Sequence, residues 1–162
     1  MIDIFVNELI PPWEWDYRWS ESIYGVAFSK KIASYFNDTV EIEPEVGFAL
    51  RTGAEDTQEI WAAIYVRYDG FPWNDYLYTS IGISTGLNYA FDVTELERER
   101  ARGSETGSKI LHYLSPEIAF ALPRWPDQEL VFRFHHRSGG YGAINNTYGG
   151  AHYGTVGLRF RF

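Results

Sequence analysis

The chemistry open to this chain rests on four histidines, His112, His135, His136 and His152. There is no cysteine, which removes thiol nucleophiles, disulfides and cysteine metal sites. A catalytic histidine needs a nucleophile within hydrogen-bond reach and a third group to orient its ring. His136 and Ser138 fit the first half of that description. Two apart on a strand, they share a face with Cα atoms about 7 Å apart, close enough for the ring to reach the hydroxyl. His135 has the opposite parity and points the other way, with Arg133 and Arg137. The histidines therefore lack a convincing ligand set, and neither a metal nor a cofactor is implied.

These residues sit in a chain that alternates with period 2, the mark of strands with unlike faces. Tyr24, Val26 and Phe28 alternate with Gly25, Ala27 and Ser29, and Val46, Phe48 and Leu50 with Glu45, Gly47, Ala49 and Arg51. Ile60, Ala62, Ile64 and Val66 alternate with Glu59, Trp61, Tyr65 and Arg67. The pattern recurs around Leu77–Leu87, Ile110–Phe120, Leu130–Phe134 and Val156–Phe162. That makes seven clear strands, with a weaker eighth from Ile2 to about Leu9. The stretch Thr94–Arg102 is charged on all faces and reads as a solvated loop.

One face of these strands is almost uninterrupted Leu, Ile, Val and Phe. The other carries Glu45, Arg51, Glu59, Arg67, Glu117, Arg133, Arg159 and Arg161 among Gly, Ala, Tyr and Ser. A solvated face would be richer in Lys and Glu; small residues with balanced charges suit a packed interior. The expected fold is therefore all-β: an eight-stranded antiparallel up-and-down transmembrane β-barrel, apolar outside and polar inside, spanning 1–162 as a single domain. No apolar run reaches the roughly 18 residues of a membrane helix, which leaves strands as the only means of crossing. The competing soluble reading is a lipocalin-like carrier, disfavoured by the charges on the inward face. The net charge of −8 argues against nucleic acid as a partner. Met1-Ile2-Asp3 has neither the basic start nor the long apolar run of a signal peptide.

Up-and-down connectivity places about Ile10–Ser22, Thr52–Thr57, Phe91–Ser108 and Gly140–Ala151 at one end. The shorter connections, about Ala33–Thr39, Asp69–Asp75 and Pro123–Asp127, fall at the other. Aromatics cluster near both ends, as interfacial belts do. Trp13, Trp15, Tyr17 and Trp19 lie at one end, and Tyr35, Phe36, Phe71, Trp73 and Trp125 at the other. His136 and Ser138 would then stand on the lipid face near the outer end of their strand. There a polar pair is a functional hypothesis by default; the alternative is headgroup contact alone. His112 shares that face and is expected at the outer interface, without an assigned role.

The run His135-His136-Arg137-Ser138-Gly139-Gly140, the Gly-rich loop after it and the closing strand ending Arg161-Phe162 resemble the PagL-type lipid A 3-O-deacylase family. The turn Phe71-Pro72-Trp73-Asn74-Asp75 is similar to that of its acyloxyacyl-hydrolase-like branch. The resemblance spans roughly Tyr24 to Phe162 and is strongest in the last 35 residues. It implies an eight-stranded barrel in the bacterial outer membrane, with a lipid-facing His-x-Ser site near the outer leaflet. That site would hydrolyse the 3-O-linked acyl chain of lipid A, making lipopolysaccharide and the membrane its partners. His136 and Ser138 match the pair. Ser138 would attack the ester carbonyl and His136 would act as base, then acid.

Two positions depart from the family pattern. No Asp or Glu follows Glu129, so the acid expected on the last strand is missing. His152, which shares the outward parity of Phe160 and Phe162, takes its place as the candidate orienter. The residue after the serine is Gly139 where the family has Asn; its backbone N–H is the candidate oxyanion donor. The alternative is a non-catalytic barrel of the same family, with a structural or lipopolysaccharide-binding role.

Overall fold

A computed structural model describes residues 1–6, 21–53, 55–101, 107–147 and 149–162, with the backbone alone at 3–6, 96 and 100. Among these residues are nine strands: β1 (Ile2–Val6), β2 (Ser22–Ser29), β3 (Ala33–Tyr35), β4 (Val40–Thr52), β5 (Thr57–Tyr68), β6 (Tyr78–Ala90), β7 (Ile110–Ala121), β8 (Gln128–Ser138) and β9 (Gly150–Phe160). One helix, α1 (Glu95–Arg100), lies between β6 and β7. The eight longer strands pair antiparallel in sequence order, and β1 joins β2 on one side to β9 on the other. The result is the eight-stranded up-and-down barrel expected from the alternation. The closing strand β1 is the thinnest part of the wall, at five residues. Leu9, Trp13, Trp15, Tyr17 and Trp19, expected at the end of the first strand and in one aromatic belt, lie outside the described residues.

The alternation decides what faces where. In β5, Thr57, Glu59, Trp61, Ala63, Tyr65 and Arg67 are buried, while Gln58, Ile60, Ala62, Ile64, Val66 and Tyr68 are exposed. The same holds around the ring: Glu45, Arg133, Arg137 and Arg159 point in, and Val46, Ile83, Leu130 and Leu158 point out. The interior is thus a charged, aromatic core, and the apolar side chains form the outer surface.

Ion pairs and rings fill the lumen, as the width of an eight-stranded barrel requires. Arg133 reaches Glu45 at 2.9 Å and Glu117 at 2.7 Å, and Trp61 Nε1 donates to Glu45 at 2.9 Å. Arg159 joins Glu117 at 2.5 Å and Glu129 at 3.1 Å, with the Tyr65 hydroxyl donating to Glu117. Arg67 pairs with Glu43 at 2.8 Å at the end where the connections are short. Each charge here is compensated, which burial at this depth demands: stripping one partner from such a pair costs about 3–5 kcal/mol.

Two local expectations need correction. Thr94–Arg102 is not simply a solvated loop, because α1 occupies its centre. The Thr94 side chain accepts from the Glu97 backbone and the Glu97 carboxylate reaches back to the Thr94 N–H, a reciprocal cap. Glu97 turns into the barrel mouth, where it is 3% exposed. The connection Ala33–Thr39 also contains a strand: β3 pairs with β4 and prolongs that hairpin. It turns through Phe36, Asn37 and Asp38, all with positive φ, a conformation that Asn and Asp tolerate better than most.

Candidate functional site

The site is built on β8 and β9 near the end of the barrel that carries the longer connections. Strand β8 alternates in its last six residues: Arg133, His135 and Arg137 enter the lumen, and Phe134, His136 and Ser138 stay on the outer wall. Strand β9 enters beside it in a register that sets His152 directly opposite His136 and Gly150 opposite Ser138. On the other side, His112 of β7 stands opposite Ser138, and Leu114 opposite His136.

Three side chains from the sequence reading meet here. The Ser138 Oγ lies 3.0 Å from His136 Nε2. The far nitrogen of the same ring, Nδ1, lies 2.5 Å from His152 Nδ1. Catalysis would use one tautomer of this chain: the serine O–H donating to His136 Nε2, His136 Nδ1–H donating to His152 Nδ1, and the His152 proton on Nε2. A base whose two nitrogens face a hydroxyl and an orienting acceptor has the wiring of a nucleophilic triad. Here the acceptor is a neutral imidazole.

Aromatic packing holds the two rings in that plane. His136 and His152 lie with centroids 4.5 Å apart and planes 9° apart. Phe134 lines up beside them, 6.1 Å from each ring centroid. His152 is exposed on the wall and His136 and Ser138 are half-buried, so an ester approaching from the side meets Ser138 without entering the barrel.

Gly139 does not take the role expected of it. Its N–H donates to the Gly149 carbonyl at 3.1 Å, so it is committed to the loop and is not an available oxyanion donor. The same contact explains the residue type. A Cβ at 139 would lie 1.6 Å from the Thr147 carbonyl oxygen, so an Asn at this position would force the loop apart. Gly140 follows at φ 59°, and its N–H makes no hydrogen bond among the described residues.

Two further groups touch the site that sequence reasoning left without a role. Thr85 of β6 bonds His112 Nε2 at 2.9 Å, extending the polar patch across a third strand pair. His135, directly behind the site, pairs with Glu59 inside the barrel and packs against Trp61 and Tyr113. Parity alone separates it from the outer cluster. No group of three or more His, Cys, Asp or Glu among the described residues is placed to hold a metal ion. Compared with known proteins, the chain matches no family model, no curated protein and no solved structure, so its own geometry carries the functional reading.

Proposed function

We propose that this chain is an outer-membrane barrel that hydrolyses the 3-O-linked acyl ester of lipid A at a lipid-facing serine. The observation that carries the reading is the chain Ser138–His136–His152, standing on the outer wall with hydrogen-bond contacts of 3.0 and 2.5 Å. The wall that carries it is apolar along its length: Leu87, Ile110, Leu130 and Phe132 are all exposed. A soluble monomer seldom exposes more than a few hundred Å² of contiguous apolar surface. A barrel wall in lipid requires it.

The reaction follows from the order of the three groups. Ser138 loses its proton to His136 Nε2 as Oγ attacks the ester carbonyl. The imidazolium that forms is held by His152 Nδ1 and then protonates the departing sugar oxygen. Water, activated by the regenerated imidazole, hydrolyses the acyl-serine and releases a fatty acid. The substrate reaches Ser138 laterally from the outer leaflet, because the lumen behind it is filled.

A second reading, a non-catalytic barrel that binds lipopolysaccharide, is favoured by two observations. The orienter is a neutral imidazole, and the Gly139 N–H is already used by Gly149. Mass spectrometry of lipid A incubated with detergent-refolded protein decides between the two. Loss of one 3-position acyl chain with the parent, and with neither Ser138→Ala nor His136→Ala, is the expected result. Intact lipid A with the folded parent would leave the non-catalytic barrel.

A further inference from the structure

Helix α1 sends one side chain into the lumen at the site's end of the barrel. Its one buried carboxylate, Glu97, meets two arginines there: Arg137 Nη1 donates to Oε1 at 2.9 Å and Arg51 Nη1 to Oε2 at 3.2 Å. The position of those arginines in the chain is the point of interest. Arg137 is the inward residue between His136 and Ser138. Arg51 in turn donates from Nε to the Tyr153 hydroxyl at 2.9 Å, and Tyr153 is the inward neighbour of His152. Arg137 is further tied to the carbonyls of Lys109 and Ser108 at 3.0 and 3.3 Å. One carboxylate inside the barrel thus holds both strands that carry the outer site.

We infer that Glu97 is the positioning residue of this site: from the lumen it fixes β8 and β9 in the register that brings Ser138, His136 and His152 together. The inference rests on the proposed esterase for its kinetic readout, but not for its geometry. The wall is a single strand thick, so a side chain pulled inward at 137 sets where the backbone holds 136 and 138. Misplacement of reacting groups by about 1 Å costs on the order of 10²-fold in rate. The carboxylate is itself fixed, since the Thr94 N–H and hydroxyl donate to Glu97 Oε2 at 3.3 and 3.2 Å. The helix is therefore a clamp, acting from the inner side of the wall whose outer side carries the site.

The test compares Glu97→Gln with Glu43→Gln in the whole chain, refolded in detergent. Glu43 is buried to the same degree, and its partner Arg67 lies at the opposite end of the lumen. Folded fraction is read from heat-dependent gel migration, kcat and KM from ester hydrolysis, and ring positions from the Hε1 NMR signals of His136 and His152. For Glu97→Gln we expect kcat lower by about ten- to a hundredfold, KM within about twofold, and both ring signals displaced. For Glu43→Gln we expect kcat within about threefold and ring signals unmoved. Should Glu97→Gln fail to fold, Glu97→Asp serves in its place. It keeps the charge but draws the carboxylate back by one methylene from Arg137 and Arg51, and should lower kcat without raising KM. Unchanged kcat and unchanged ring signals in a folded Glu97→Gln, or in a folded Glu97→Asp, would overturn the inference. A parent without Ser138-dependent hydrolysis would overturn the esterase reading instead, and the ring signals would then decide the role of Glu97 alone.

Discussion

Replacing His152 by Glu should accelerate the proposed hydrolysis, because it puts a carboxylate where the structure has an imidazole. Residue 152 lies directly across the ladder from His136, and its present ring contacts Nδ1 at 2.5 Å. A carboxylate there would accept the same N–H at about 2.8 Å. When His136 becomes an imidazolium, the two charges would be about 4 Å apart, worth about 4 kcal/mol at an effective dielectric of about 20. Position 152 is exposed on the wall, and exposed pairs recover about 1 kcal/mol or less. His136 itself is half-buried against Phe134 and Leu114, so a gain between these limits is expected, about 1.5–3 kcal/mol. That is roughly a ten- to hundredfold rise in kcat. His152→Gln should stay within a few-fold of the parent, because an amide oxygen can accept the same N–H without adding charge. His152→Ala should lose about tenfold or more, since nothing then holds the ring. The assay is fatty-acid release from lipid A in detergent micelles, with Ser138→Ala as the blank. The reasoning fails if His152→Ala matches the parent, or if Glu at 152 is no faster than Gln.

Three other outcomes test the frame around the site. Ile64→Arg, at the middle of the exposed face of β5, should cost about 2–4 kcal/mol of folding free energy in a bilayer. A soluble carrier would tolerate it within about 0.5 kcal/mol, so denaturant titration in liposomes separates the two. Glu117→Gln would leave Arg133 and Arg159 without their shared carboxylate and should destabilise the barrel by about 3–5 kcal/mol in urea. Gly139→Ala would place a methyl 1.6 Å from the Thr147 carbonyl oxygen. The loop from 139 to 149 should open, and limited proteolysis should cut within it in the variant before the parent.

Period 2 made most of this molecule readable, because in a barrel parity alone decides inside from outside. It separated His135 from His136, placed Arg133, Arg137 and Arg159 in the lumen, and put His152 on the wall. The pairing of His136 with His152 needed the register as well, which the end of the chain supplied once Phe160 and Phe162 were set outward. Helix α1 is not legible from the faces of its charged stretch, because its stability comes from the Thr94–Glu97 cap and from partners 46 and 40 residues away, Arg51 and Arg137. The Thr-x-x-Glu spacing was the available signal. The bond that occupies the Gly139 N–H is hidden for a related reason. A backbone N–H has no sequence signature for its acceptor, and Gly149 becomes that acceptor only when the loop folds back.

The same thin wall that makes the chain readable also couples its two faces. Every residue of β8 from Arg133 to Ser138 has a neighbour one position away on the opposite side, so no outward group can be placed without an inward one being held. In a wide barrel with a water-filled lumen the inward groups would be solvated and their hold weak. Here eight strands leave room only for side chains, and the inward groups are buried ions with fixed partners. A filled lumen excludes substrate from the interior and stiffens the wall from behind. Both consequences favour a site on the outer wall, held from within. Buried charges in such a barrel should therefore divide into two classes by measurement. Those near the site, Glu97 and Arg137, should change rate at a given folded fraction. Those further along, Glu43 and Glu117, should change folded fraction at a given rate. A set of single variants in which rate and folded fraction always fell together, wherever the charge was removed, would sink that division and leave the lumen as scaffold alone.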